Sequence, residues 1–179
     1  MAMEKREFEE QFDNVVLRPL LELGFKCKNK SIYYIDDEIN ISLIRLGGKM
    51  ATPGGISHVL CFRHTYLPNL SGEVPDDFEN DVFSYPLKLK PSEIRGIWGV
   101  KATYEPKNLS YDFERIEFKS KSRAILLKDL ERLKKDILAF LKWAKSSNAS
   151  KLPQQIRQNG EQAWIEGLWL RVYESKIAI

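Results

Sequence analysis

Apolar residues recur at steps of three and four along the start of the chain. Phe8, Phe12, Val15, Val16, Leu20 and Leu23 would share one side of a helix. Glu4, Glu7, Glu9 and Glu10 crowd its first turns, where carboxylates complement the positive end of the helix dipole. Pro19 lies inside this pattern. There it removes a hydrogen bond and presses on the preceding turn, so the spacing predicts a kink or break near Arg18. A short second piece would end at Gly24, a favoured residue just past a helix end. The period then changes. Ser31 to Ile35 and Ile39 to Leu46 are rich in Ile and Tyr and read as strands, joined by a tight turn at Asp36-Asp37. In the second, Ile39, Ile41, Leu43 and Arg45 alternate with Asn40, Ser42, Ile44 and Leu46, the partly two-sided pattern of a sheet with a helix on one face. Gly47, Gly48, Pro53, Gly54 and Gly55 bracket a loop. Ser57 to Tyr66, apolar over much of its length, predicts a central third strand in an antiparallel meander.

Residues 67 to 123 are punctuated by Pro68, Pro75, Pro86, Pro91 and Pro106, which argue against long regular elements. Pro75 to Val82 suits a short helix, and Ile97 to Tyr104 and Tyr111 to Phe118 suit strands. The clearest helix is Ala124 to Lys145. Leu126, Leu127, Leu130, Leu133, Ile137, Leu138, Leu141 and Trp143 make its apolar stripe, and Lys, Arg, Asp and Glu interleave opposite. A polar spacer, Ser146 to Ser150, leads to a turn or two ending at Asn159-Gly160. Glu161 to Glu174 then places Trp164, Ile165, Leu168, Trp169, Val172 and Tyr173 on one helical face. The fold class that follows is α+β. A mostly antiparallel sheet of about four to six strands packs against the N-terminal helix and the long late helix. Residues 1–147 form one domain, and 148–179 a C-terminal helical extension that packs on it or mediates contacts.

Composition narrows the setting. The 179 residues carry a formal net charge of +3, too small an excess to argue for nucleic acid by itself. No apolar run is long enough to span a bilayer, and the charged N-terminus lacks the apolar stretch of a secretory signal. Two cysteines, Cys27 and Cys61, cannot make a disulfide framework; both read as buried thiols of a reducing, cytoplasmic setting.

The opening segment supplies a resemblance. Leu17-Arg18-Pro19-Leu20-Leu21-Glu22-Leu23-Gly24-Phe25-Lys26 runs through basic Lys28-Asn29-Lys30 into the aromatic Tyr33-Tyr34 and then Ile39-Asn40-Ile41. Phe62-Arg63-His64, Ile97-Trp98 and the late amphipathic helix follow. This arrangement resembles an uncharacterised bacterial domain family, the one numbered 4304 among domains of unknown function. The resemblance covers residues 8 to 66 well and 94 to 145 loosely. It implies a bacterial cytoplasmic domain, sometimes associated with defence or toxin–immunity genes, and brings no activity to any residue.

The candidate chemistry is sparse. His58 and His64 are six residues apart on one strand face, roughly 20 Å at the usual rise, and Cys61 points the other way, so no metal site is expected. Neither cysteine has a histidine beside it by spacing, and no Gly-x-Ser-x-Gly elbow occurs. Gly48-Lys49 runs into Met50-Ala51-Thr52-Pro53 rather than a phosphate-binding helix. Asp36-Asp37-Glu38 reads as a turn, and Asp76-Asp77 with Glu79 as a helix start. No cofactor is expected. What remains is a non-catalytic binding or interaction domain for an unknown protein partner, with Trp164, Trp169, Tyr173, Gly54 and Gly55 as partner-binding residues and a homodimer among the assemblies allowed. Two alternatives stay open. One is a nucleic-acid binder using Lys26, Lys28, Lys30, Arg115, Lys119 and Arg123 beside aromatics. The other is an unrecognised small enzyme, which would need a deep pocket holding perturbed carboxylates, Cys or His.

Overall fold

The structure, a computed structural model, describes residues 3–47, 54–65, 68, 72–74, 77, 85, 87–89, 116–146, 152–158 and 164–177. Its first helix does not break at Pro19. Helix α1 (Lys5–Phe12) runs through a π-helical turn, Asp13–Leu17, into α2 (Arg18–Glu22), with right-handed helical backbone at the junction residues Phe12, Asp13, Leu17 and Arg18. The Arg18 N–H donates to the Asp13 carbonyl five residues back. The widened turn leaves Pro19 in the first turn of α2, where a residue lacking an N–H loses nothing and its ring has room. The expected kink is therefore replaced by a wide turn. Gly24 (φ 90°) ends the helix as anticipated: Gly24 N–H donates to Leu21 O and Phe25 N–H to Leu20 O, both at 3.1 Å. Leu23, assigned by periodicity to the apolar face, is 54% exposed because it already belongs to this terminating turn.

Five strands form the main sheet: β1 (Lys26–Lys28), β2 (Ser31–Ile35), β3 (Ile39–Arg45), β5 (His58–His64) and β6 (Leu87–Leu89). They are antiparallel throughout, in the order β1-β2-β3-β5-β6. The two strands read most strongly lie where the alternation places them, and β5 is interior. β1 has no apolar pattern to announce it. Its Lys-Cys-Lys is exposed at the sheet edge, held by backbone pairing to β2 across a two-residue turn in which Asn29 and Lys30 both take positive φ (53° and 64°). The segment read wholly as a loop also holds a strand. Between β3 and β5, β4 (Gly55–Ile56) pairs with β7 (Ile116–Glu117) as a separate ribbon. Gly54 at φ 80° accepts from the Phe118 and Lys119 N–H groups, and a Cβ there would lie 2.8 Å from the Lys119 side chain.

The β3–β5 register sorts the side chains into two layers. Ile41 faces Phe62 and Leu43 faces Leu60 on the side covered by α1, α2 and the long helix α3 (Arg123–Ser146), with Phe8, Val16, Leu20, Leu130, Ile137 and Phe140 completing that core. Phe140, outside the stripe read from spacing, meets Phe62 edge-on at 6.3 Å. Tyr33, Ile44, Val59, Cys61 and Tyr85 form a smaller core on the opposite face. Two C-terminal helices follow, α4 (Leu152–Gln158) and α5 (Trp164–Ile177), joined by an Arg157–Glu174 ion pair. Leu170 of α5 is buried in the main core and Tyr173 packs against it, so α5 docks on its own chain. The helix expected at Pro75 to Val82 falls, apart from Asp77, outside the described residues. So do the strand at Ile97 to Tyr104 and most of Tyr111 to Phe118.

Because Leu170 fills core space, Leu170→Ala is expected to lower unfolding free energy by about 2–5 kcal/mol. Urea denaturation of the full chain measures this, and a change below about 0.5 kcal/mol would mean that α5 is a detachable arm.

Candidate functional site

Phe8 and Phe12 turn α1 toward the sheet, which brings Glu9 to the margin of the packed face. Arg45, two residues beyond Leu43, points to the same side from the end of β3. The two meet as a bidentate pair: Arg45 Nη1 donates to Glu9 Oε2 at 2.9 Å and Nη2 to Oε1 at 2.6 Å. Lys30 Nζ, from the β1–β2 turn, lies 3.7 Å from the same carboxylate. The hydrogen bonds from Arg45 hold the Glu9 carboxyl below the usual carboxylate range. Partial burial opposes them, and the charges of Arg45, Lys30 and Lys5 assist.

This pair forms one wall of a cavity of about 280 Å³ between the helix and the β1–β3 corner. Glu9, Phe12, Asp13, Leu17, Cys27, Lys30, Ile32 and Arg45 line it. Phe12, Asp13 and Leu17 all come from the α1 end and the wide turn, so the feature that accommodates Pro19 also shapes one side of the cavity. Single π turns recur at functional sites for this reason: the extra residue redirects side chains.

Cys27 is opposite Ile32 in register and therefore on the helix side of β1. It was expected to be buried. Instead it is exposed, because β1 is an edge strand and the cavity opens over it. Burial, partial though it is, and the Asp13 carboxylate push the thiol pKa up, against a hydrogen bond from the Lys30 backbone. Cys61, on the other face, is buried as anticipated.

His58 lies beneath this wall, opposite Arg45 in register and stacked on Phe12 with ring centroids 5.5 Å apart and planes 6° from parallel. Burial and the Arg45 charge lower its pKa to about 3, against the Glu9 charge, so the ring is neutral. His58 Nε2 meets no hydrogen-bond partner among the described residues. His64 sits at the far end of β5, near Phe62, with Nδ1 3.3 Å from the Glu38 carbonyl. Among the described residues, no three His, Cys, Asp or Glu side chains converge as a metal set would.

The opposite sheet face holds a buried polar row that periodicity did not single out. Ser42 Oγ donates to Asn40 Oδ1 at 2.9 Å and lies 2.8 Å from the Tyr85 hydroxyl, which therefore donates to it. Arg63, fully buried, carries its guanidinium 6.0 Å from the Tyr85 ring centre. The sequence signal was present in the register: Asn40, Ser42, Cys61 and Arg63 alternate with the apolar residues of β3 and β5.

The residues singled out from sequence are dispersed. Tyr173 is half-buried on the main core, and Trp164 and Trp169 belong to α5, their side chains outside those described. Gly54 and Gly55 serve the β4–β7 ribbon. Lys26 and Lys28 are exposed on β1, with Lys28 3.7 Å from Asp77. Arg123 lies 3.2 Å from Glu7, Lys119 is exposed beside Gly54, and Arg115 is outside the described residues. Among the described residues of this set only Lys30 lines the cavity. Asp36 accepts from the Glu38 and Ile39 N–H groups at 2.9 Å, the turn role expected of it. No described helix is long and apolar enough to cross a membrane. No family model, curated protein or solved structure matches this chain.

The neutral state of His58 carries a pH signature. The unfolded chain takes up a proton near pH 6.5 that the folded chain refuses until about 3. Stability is therefore full above 6.5 and falls as pH drops, by up to about 1.4 kcal/mol per unit. His64, also lowered, acts in the same direction, and Glu9 adds its loss further down, as pH falls through its own depressed value. In denaturant titrations between pH 6.5 and 5, His58→Phe should flatten this slope while keeping the stack on Phe12. An unchanged slope would show that His58 is already hydrated or charged in the fold.

Proposed function

We propose that the chain is a non-catalytic binding domain whose ligand enters the cavity between the first helix and the β1–β3 corner. One observation carries the reading: four charged side chains, Glu9, Asp13, Lys30 and Arg45, surround the apolar surface of Phe12, Leu17 and Ile32 in a cavity of about 280 Å³. Convergent polar groups on an apolar lining are the usual composition of a small-ligand site.

The chemistry of the same side chains favours binding over turnover. General acid–base work needs a group that exchanges its proton near the working pH. The Cys27 thiol is pushed up and stays protonated, His58 is buried and neutral, and Glu9 is ionised and tied to Arg45. The docking of Leu170 and Tyr173 draws support away from α5 as a free arm for a protein partner. The nucleic-acid alternative is weakened because Lys28 and Arg123 each face a carboxylate, on Asp77 and Glu7.

A fragment library screened by methyl NMR tests the reading. Hits should perturb the Leu17 and Ile32 methyls, and Cys27→Trp, at an exposed lining position, should weaken them by about tenfold or more by filling the mouth. Hits that gather elsewhere, or that ignore Cys27→Trp, would rule the cavity out as the binding site.

A further inference from the structure

We infer that this cavity takes a small zwitterion with an apolar side chain, of the chemistry of a free aliphatic amino acid. The inference rests on the reading of the cavity as a binding site. Its first ground is the arrangement of charge. Two cations share one carboxylate: Arg45 engages Glu9 through both terminal guanidinium nitrogens, and Lys30 stands at 3.7 Å from the same group. Together these three side chains carry one positive charge in excess. Asp13, on the wide turn, is exposed and pairs with no cation among the described residues, so its negative charge faces the cavity unmatched.

The cavity lining is thus neutral in sum and offers one unmatched charge of each sign. A simple anion drawn to Lys30 and Arg45 would also face Glu9 and Asp13. A simple cation drawn to Asp13 would face Arg45 and Lys30. A ligand that carries a carboxylate and an ammonium on one carbon satisfies both signs at once, because Asp13 follows Glu9 by one helical turn and so stands beside the Arg45–Lys30 group. Its carboxylate accepts from Lys30 Nζ and the outer edge of Arg45, and its ammonium donates to Asp13. The bidentate Glu9–Arg45 pair stays in place and fixes the guanidinium plane.

The second ground is size and lining. At about 280 Å³ the cavity lies at the small end of the range of about 300–1,000 Å³ usual for small-ligand pockets, which suits a ligand of few non-hydrogen atoms. Phe12, Leu17 and Ile32 supply the surface on which a branched aliphatic side chain would lose its contact with water.

The test titrates the full chain with L-leucine, L-isoleucine and L-methionine, read by calorimetry and by the Leu17 and Ile32 methyl resonances. 4-Methylpentanoate, which lacks the ammonium, and isoamylamine, which lacks the carboxylate, serve as one-charge probes. At least one amino acid should bind, and each one-charge probe should bind about tenfold or more weakly than leucine. Asp13→Asn should weaken leucine by a similar factor and leave 4-methylpentanoate unchanged or tighter. Lys30→Gln should weaken leucine and 4-methylpentanoate but not isoamylamine. Both substitutions are at exposed positions, and methyl spectra of the free variants check that the fold is kept. If library fragments seat in the cavity while no amino acid does, the zwitterion inference fails and the binding reading stands. If neither seats there, both fail. Leucine binding that is indifferent to Asp13→Asn overturns the inference as well.

Discussion

The pairing of β3 with β5 is the constraint on which the other elements depend. It runs from Ile39 opposite His64 to Arg45 opposite His58, and strands alternate their faces strictly. Ile41, Leu43, Leu60 and Phe62 are thereby given to the helices, and Asn40, Ser42, Cys61 and Arg63 to the opposite layer. A slip of one residue would exchange the two sets. It would press a guanidinium into the aliphatic core beneath α1 and α3, and turn Leu60 and Phe62 toward the polar layer. The register is therefore heavily specified by its own burial. Arg45 and His58 lie at one end of it, which is why the charged corner of the molecule has a defined geometry.

The helix that covers this sheet solves a separate problem. Pro19 cannot donate to the preceding turn, and a sharp kink there would have pulled Leu20 away from the core that Phe8, Phe12 and Val16 enter. One extra residue in the Asp13–Leu17 turn keeps the helix continuous and both ends packed. Leu17, within the widened turn, lines the cavity together with Phe12 and Asp13. The turn that accommodates the proline thus also contributes to the wall of the candidate site.

Buried polarity is treated differently on the two sides of the sheet. Beneath the helix, His58 is stripped of its charge by burial and held as an aromatic plate against Phe12, while the nearby charges of Glu9 and Arg45 compensate each other at the surface. On the far side Arg63 stays with Tyr85, and Ser42 and Asn40 hydrogen-bond in sequence. Such rows stabilise little in net terms when formed, but a broken one leaves an unsatisfied group in a dry layer. They hold the sheet to one arrangement.

The sequence by itself determined the α+β class, the strand Ser31–Ile35, the strand read as Ile39–Leu46 and found at Ile39–Arg45, the end of the first helix at Gly24 and, to within a residue at either end, the span of the late helix. Each rests on a local rule, namely period two, period three to four, or a positive φ that glycine accepts. β1 was invisible because Lys26, Cys27 and Lys28 carry no apolar alternation, and only pairing with β2 makes them a strand. β4 was invisible because two residues are too few for a period, and their partner lies some sixty residues away. The cavity was less legible still. Glu9 read as a helix-dipole residue, Arg45 as a strand residue, Lys30 as one of a basic run and Cys27 as core. Their joint meaning arises only when α1, its wide turn and the β1–β3 corner come together, because no local pattern encodes the meeting of side chains from four segments. Tertiary structure alone decided which charges neutralise each other, which one stays open, and that the apolar surface between them is a cavity rather than packed core.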